Sequence, residues 1–229
     1  MPESTTSADD WFSSGKRVHY DNENKRIAEK PSRTTISVFE KVVPPNSNAS
    51  NCWITFLPGF PDGSFGFNKV CERLDLDRNP QLYVEYVGQG DSDTPDSAYC
   101  YSAVERADLV EAQWLAKEVT RTIIVSFGLS SLVTIELLRR QQQNSRKHAV
   151  KTKIEHVLAI NGGYFADGHS AQHRGSRLGL RLAKRSNVVM DRKLLPLFSK
   201  RYQHKASTQE EVREISKAMR RNKGTSYLK

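Results

Sequence analysis

The chain has 229 residues, of which 37% are hydrophobic, and this is enough for one α/β domain with a buried core. No apolar run approaches the ~20 residues of a membrane-spanning helix, and the acidic, Ser/Thr-rich N-terminus lacks the pattern of a secretory signal. The three cysteines, Cys52, Cys71 and Cys100, are widely spaced and form no CxxC pair. This argues against a disulfide framework and favours a reducing compartment, so we expect a cytoplasmic protein.

The formal net charge of +9 is divided unevenly along the chain. Residues 1–138 hold 13 Lys+Arg and 20 Asp+Glu, a net charge of −7, whereas residues 139–229 hold 22 and 6, a net charge of +16. The basic half has no interleaved aromatic residues and no nucleic-acid motif, so it does not indicate nucleic-acid binding. Its charge fits a solvated face or a surface that meets an acidic protein partner.

Three segments follow one another in the predicted organisation. Residues 1–33 are polar and predict a loose N-terminal arm with one short strand at Arg17–Tyr20. Residues 34–163 alternate strands and helices, the order of a mostly parallel α/β sheet covered on both faces. The predicted strands are Thr34–Val43, Cys52–Leu57, Leu82–Val87, Thr122–Phe127 and Glu155–Ile160, and the predicted helices are Phe67–Leu74, Ser102–Val119 and Leu129–Gln143.

Residues 164–229 contain no strand pattern and predict a helical cap segment. The three short amphipathic stretches are Arg177–Leu182, Lys193–Phe198 and Glu210–Met219.

Small-residue turns close four of the predicted strands: Pro58–Gly63, Gly88–Gly90, Gly128 and Gly162–Gly163. Because the carboxyl ends of parallel strands share one edge of a sheet, these turns predict a crevice at that edge.

One of these turns has the form of a nucleophile elbow. Thr122–Phe127 is an apolar strand, Gly128 follows it, and an apolar helix begins near Leu129. In an elbow the reactive residue sits at the strained tip between strand and helix. Here that residue is glycine, which has no side chain to attack a substrate.

The turn motifs together resemble the α/β-hydrolase superfamily, in its epoxide-hydrolase and haloalkane-dehalogenase branch. Four segments carry the resemblance in the right order: Leu57–Pro61 is similar to Leu-His-Gly-Phe-Pro, Glu85–Pro95 to Asp-x-x-Gly-x-Gly-x-Ser-Asp-x-Pro, Val125–Glu136 to the elbow, and Asn161–His169 to Asn-Gly-Gly-x-Phe-Pro-Glu-x-His. The resemblance implies an α/β-hydrolase fold. It also implies attack on a substrate carbon, a covalent intermediate and release by water.

The departures from the family pattern concern its chemistry. Gly128 stands where the family has its attacking Asp, and Pro58 where it has a His in the first loop. The family carries the acid and the catalytic His on strands that follow the cap. We therefore expect a truncated α/β-hydrolase sheet without the triad, and hence a catalytically degenerate, hydrolase-like protein that binds a small hydrophobic ligand.

The alternative is an active hydrolase of small ester, epoxide or haloalkane substrates with a shifted nucleophile, Ser130. Ser130 also fits a helix N-terminus that bonds free backbone N–H groups. By resemblance, the oxyanion hole consists of the N–H groups of Phe60 and Leu129. Glu85 stands where the family has Asp, and we expect it to form structural hydrogen bonds.

Neither a metal nor a cofactor is predicted. His169 and His173 are four apart, but the neighbouring Gly168 and Gly175 favour a loop over a helical ligand pair. His156 is expected to be packed in its strand. The apolar strand Glu155–Ile160 is expected to lie at an open sheet edge, through which the protein self-associates.

Overall fold

A computed structural model describes residues 6–46, 50–59, 63–73, 78–95, 99–143, 152–162 and 208–221. The helices are α1 (Ala8–Ser13), a 3-10 helix (Gly63–Phe67), α2 (Asn68–Arg73), α3 (Ala103–Ala116), α4 (Ser130–Gln143) and α5 (Gln209–Arg220). The strands are β1 (Lys16–Asp21), β2 (Arg26–Ala28), β3 (Thr35–Val43), β4 (Cys52–Leu57), β5 (Gln81–Val84), β6 (Arg121–Phe127) and β7 (Lys153–Ile160).

The described strands form one mixed sheet of seven, in the order β2-β1-β3-β5-β4-β6-β7. The pairs β1–β2, β1–β3 and β3–β5 are antiparallel, and the pairs β4–β5, β4–β6 and β6–β7 are parallel. The chain runs from β4 to β5 on one side and then returns to β6 on the other side of β4. The carboxyl ends of β4 and β6 therefore flank a topological switch point, where crevices form in open α/β sheets.

Two hydrophobic clusters cover the two faces of the sheet. Buried residues of α3 and α4, such as Trp114 and Leu137, pack with Ile124 of β6 on one face. Phe56 and Tyr83 stack at 4.3 Å between ring centroids on the other face, beside Trp11 of α1. Burial on both faces explains why the central strands are nearly continuous apolar runs.

The N-terminal segment is more ordered than its composition predicts. Residues 6–33, expected as a loose arm with one short strand, form α1 and the β1–β2 hairpin of the sheet. Trp11 and Phe12 anchor α1 because both are buried in the core. Two buried apolar residues are enough to order this polar segment because strand pairing also fixes the chain that follows them. The polar composition of the segment gives no sign of that pairing.

Helix α5 packs against α1, far from it in sequence. The Ala8 backbone N–H donates to Glu214 Oε2 at 2.9 Å, and Ala218 and Met219 are buried. A capping box at Thr208 and Glu211 starts the helix. The helix predicted at Glu210–Met219 is confirmed, whereas those predicted at Arg177–Leu182 and Lys193–Phe198 lie outside the described residues.

Candidate functional site

The turn between β6 and α4 keeps the backbone of an elbow. Gly128 has a φ of 56°, its N–H donates to the Ile160 carbonyl of β7 at 3.0 Å, and its carbonyl accepts from the Ser131 N–H at 3.1 Å. A positive φ is costly for residues with a Cβ and is a mark of strained functional turns. Glycine relieves that cost at the tip of this turn.

The same turn has room for a side chain. Among the described residues, a Cβ built on Gly128 meets one atom outside its chain neighbours within 4 Å, the Gly59 Cα at 3.8 Å. That is an ordinary van der Waals contact. Within the described part of the chain, crowding therefore does not require glycine at position 128, and the turn combines a positive φ with space for a side chain at its tip.

Gly59 lies opposite Gly128 and has no room for a side chain. A Cβ on Gly59 would lie 2.3 Å from Cδ1 of Phe127, so the Phe127 ring packs directly on the Gly59 backbone. Leu57 pairs with Ser126 in the register of β4 and β6, which brings the two turns together. Gly59, Phe127 and Gly128 thus meet at the edge of the sheet where the crevice is predicted.

The structure places Ser130 at the first residue of α4, fully buried. Its hydroxyl donates to the Pro58 carbonyl and also lies 2.9 Å from the Tyr86 hydroxyl. Its backbone carbonyl accepts from Thr134 at 2.9 Å. The Ser130 side chain thus ties the turn after β4 to the start of α4.

Only one of the two residues predicted for the oxyanion hole can be located. Leu129 lies directly before α4, and its side chain is 51% exposed at the mouth of the turn. The 14 residues of α4 direct the positive end of the helix dipole toward this turn. Phe60 lies outside the described residues.

Glu85 follows β5 and is fully buried. Its carboxylate accepts from the Ser64 backbone N–H at 3.0 and 3.2 Å and from the Ser64 hydroxyl at 2.6 Å. The pKa of Glu85 is raised to about 8, because burial and, to a smaller degree, nearby Asp91 outweigh the hydrogen bonds from Ser64, which lower it. The carboxyl group serves as an internal hydrogen-bond centre, as its position at the end of a strand suggests.

Tyr86 and Gln89, which sequence reasoning did not single out, also reach this edge of the sheet. The Gln89 amide nitrogen donates to the Gly59 carbonyl at 3.4 Å, and its buried Oε1 has no hydrogen-bond partner within the described residues. Tyr86 meets Ser130, 44 positions away. The position of Gln89 within the predicted Gly88–Gly90 turn could have indicated that it lies at this edge. No local pattern in the sequence indicates the contact between Tyr86 and Ser130.

The histidines do not form a cluster in the described part of the chain. His156 is exposed on β7, contrary to the expectation that it is packed, because β7 is the last described strand of the sheet. His169 and His173 lie outside the described residues. No group of three or more His, Cys, Asp or Glu residues in the described ranges could hold a metal ion. No helix in those ranges is long and apolar enough to span a membrane.

Comparison with curated proteins finds the mesoderm-specific transcript proteins. The chain is 29% identical over 170 residues to the mesoderm-specific transcript homolog protein of Homo sapiens, covering 73% of this chain and 45% of that protein. It is 30% identical over 118 residues to the mesoderm-specific transcript protein of Mus musculus. The chain thus spans about half of the length of the human relative. No family model matches the chain.

Comparison with solved structures finds α/β-hydrolases. The esterase EaEST from Exiguobacterium antarcticum matches with a TM-score of 0.62 at 13% identity, covering 86% of this chain and 68% of that one. A metagenomic epoxide hydrolase from hot environments matches with a TM-score of 0.63 at 15% identity, covering 93% and 68%. The haloalkane dehalogenase DatA from Agrobacterium tumefaciens matches with a TM-score of 0.58 at 15% identity, covering 89% and 62%. The predicted α/β-hydrolase fold is confirmed.

Proposed function

We propose that this chain, which has the α/β-hydrolase fold and is related in sequence to the mesoderm-specific transcript proteins, is a catalytically degenerate, ligand-binding version of a hydrolase. Its ligand is a small, largely apolar molecule held in the crevice beyond the ends of β4 and β6. The observation that carries the proposal is Gly128. The elbow backbone is present and the described residues leave space for a side chain, but glycine has no atom that can attack.

Neighbouring hydroxyl groups do not replace the nucleophile in this proposal. The Ser130 hydroxyl is buried and is engaged with Pro58 and Tyr86. Ser126 is 1% exposed inside β6. An attacking group needs access to substrate and a base that takes its proton. Neither hydroxyl combines the two.

The walls of the crevice indicate the chemistry of the ligand. The Gly59 backbone and the half-buried Phe127 ring provide apolar surface, and the exposed Leu129 side chain lies at the mouth. The start of α4 adds a positive electrostatic potential beside them. A short alkyl chain or small aromatic group that ends in one hydrogen-bond acceptor suits this combination.

The second candidate function is hydrolysis of small esters, epoxides or haloalkanes with Ser130 as nucleophile. The contact that favours it is the 2.9 Å hydrogen bond between the hydroxyls of Ser130 and Tyr86, which provides a route for a proton. This function requires the Pro58 contact to break and the start of α4 to open.

The test restores the missing carboxylate and looks for a trapped intermediate. In the Gly128→Asp variant, the new carboxylate should attack 1-bromobutane held in the crevice. Bromide leaves, and a butyl ester remains on the protein. We expect intact-mass spectrometry to show one added butyl group, which peptide mapping places on the Asp introduced by Gly128→Asp.

The Gly128→Ala variant is the matched control, because it introduces the same Cβ and the same positive-φ strain without a carboxylate. It should gain no mass. The wild-type protein should turn over neither p-nitrophenyl acetate, styrene oxide nor 1-bromobutane above buffer. Turnover by the wild type would contradict degeneracy, and absence of the adduct in folded Gly128→Asp would contradict a ligand-accepting crevice.

A further inference from the structure

The buried carboxyl group of Glu85 connects three elements at the crevice edge of the sheet. It follows β5, and it accepts hydrogen bonds from Ser64 in the 3-10 helix. The Ser64 hydroxyl in turn accepts from the Trp11 indole N–H of α1 at 3.1 Å. One carboxyl group therefore holds the chain after β4 and, through Ser64, the N-terminal helix.

Two glycines pack directly on the same carboxyl group. A Cβ on Gly63 would lie 2.2 Å from Glu85 Oε1, and a Cβ on Gly90 would lie 2.5 Å from Glu85 Oε2. Both glycines have positive φ values, 61° and 47°. The 3-10 helix and the Gly88–Gly90 turn thus close over Glu85 at a distance that only glycine permits. In the same turn, Gln89 reaches the Gly59 wall of the crevice.

The charged groups around Glu85 do not neutralise it. Asp91 is the nearby like charge, and Arg17 and Arg221 pair with Asp91 at 3.6 and 3.4 Å. Lys41 lies over the Trp11 ring, 3.9 Å from its centroid. Within the described residues no basic side chain forms an ion pair with Glu85. Ionisation would therefore place a negative charge in a buried position beside a second one.

We propose that Glu85 is a proton-operated latch: its neutral carboxyl group holds the 3-10 helix and the Gly88–Gly90 turn closed, and its ionisation loosens both. Opening exposes the carboxyl group to water, where it ionises near its ordinary pKa. The closed state binds the proton more tightly, since the pKa of Glu85 is raised to about 8. The opening equilibrium therefore rises as much as tenfold per pH unit between about pH 5 and about pH 8 and levels off above that.

Hydrogen–deuterium exchange of the full chain tests the latch. We expect peptides that cover residues 63–67 and 88–93 to lose protection between about pH 5 and about pH 8, after correction for the intrinsic pH dependence of exchange. Peptides from the central strands β4 and β6, which exchange through global unfolding, should remain better protected than these two at every pH. The Glu85→Gln variant, which keeps a hydrogen-bond acceptor without the charge, should stay protected throughout. The Glu29→Gln variant makes the same change at an exposed position and should behave as the wild type.

A second measurement keeps the proposal testable if Glu85→Gln does not fold. Carbon-13 NMR of the wild type labelled at glutamate carboxyl groups should show one resonance that titrates near pH 8, far above the other glutamates. An unchanged protection pattern across the range, or the same loss of protection in folded Glu85→Gln, would overturn the latch. So would the absence of a high-titrating carboxyl resonance.

An effect of the latch on ligand access to the crevice rests on the proposed function. The opening of the 3-10 helix and the Gly88–Gly90 turn does not. Labelling of the Gly128→Asp variant by 1-bromobutane should change with pH only if Glu85 is present, after correction for ionisation of the introduced Asp. Loss of protection without any butyl adduct would leave the latch standing and remove the ligand site. A butyl adduct with no change in protection would support the ligand site and overturn the latch.

Discussion

Gly59 and Gly128 face each other across the end of the sheet, and a Cβ on Gly128 would lie 3.8 Å from the Gly59 Cα. Each residue is a glycine for a different physical reason. Gly59 has no room for a side chain because the Phe127 ring packs on it. Gly128 has room among the residues that the structure describes, but its backbone conformation favours glycine. The turn between β6 and α4 therefore has the backbone of an elbow, with no side chain at its tip.

Removal of the Ser130 hydroxyl should affect stability and leave chemistry unchanged. Ser130→Ala deletes the donor to the buried Pro58 carbonyl and the partner of Tyr86, which should cost about 1–3 kcal/mol of unfolding free energy. Urea denaturation measures the loss. Ser131→Ala, at the next buried serine, is the control for a shortened side chain at the start of α4. Esterase turnover that is present in the wild type and lost only in Ser130→Ala would instead identify the nucleophile.

The interface between α3 and α4 contains a buried ion cluster centred on Arg140. Its guanidinium group contacts Asp108 and Glu111 at 2.7 Å and Glu136 at 2.8 Å. The hydrogen bond from Arg139, followed by that from Arg140, lowers the pKa of Glu136 to about 2. Arg140→Met should destabilise the protein by about 3–5 kcal/mol near neutral pH, because among the described residues it leaves the buried Glu111 without a cation and Asp108 with Lys25 alone, at 3.5 Å.

The pH dependence identifies the cause of that loss. A carboxyl group with a lowered pKa stabilises the fold above its unfolded pKa, and this contribution disappears as the pH falls through the folded value. The difference in stability between the wild type and Arg140→Met should therefore shrink as the pH falls from about 4.5 to about 2 in chemical denaturation. Arg139→Met removes an exposed guanidinium from the same helix and should cost less than about 1 kcal/mol. A loss for Arg140→Met that is independent of pH would point to packing instead.

Glu85 should make the global stability fall as the pH rises. Its pKa is raised in the folded state, so the folded chain binds a proton that the unfolded chain has released between about pH 4.5 and about pH 8. Unfolding free energy should drop by up to about 1.4 kcal/mol per pH unit across that window from this group. Glu85→Gln should flatten the profile measured by denaturation at each pH, with Glu29→Gln as the matched control. Identical slopes in the wild type and Glu85→Gln would contradict this assignment.

Self-association should depend on the outer strand of the sheet. β7 is the last strand in the described order, and Leu158 and Ile160 are 55% and 38% exposed. An exposed apolar edge strand pairs readily with other chains, and a lysine on it opposes pairing. Sedimentation velocity should show association that Leu158→Lys reduces and added salt strengthens, because salt screens the basic half. Val104→Lys, at an exposed apolar position of α3, should leave association unchanged. A wild type that stays monomeric at all salt concentrations would refute this prediction.

The local patterns of the chain were sufficient to predict the central strands, two of the helices and the turn at Gly128. The alternation of apolar runs and small-residue turns predicted β4, β6, α3 and α4 to within three residues at their ends, because the spacing of apolar residues in a strand or helix reflects which face is buried. The glycine at position 128 likewise could be read directly against the motif. These features depend on near neighbours in sequence.

Only the tertiary structure decided the contacts that join distant segments. The N-terminal segment joins the sheet because β1 pairs with β3. The surroundings of Glu85 depend on Trp11, Ser64 and Gly90, which come together around it. The engagement of Ser130 depended on Tyr86, 44 residues earlier. Burial and the resulting pKa of a carboxyl group are set by what packs around it, and no periodicity in the sequence encodes that environment.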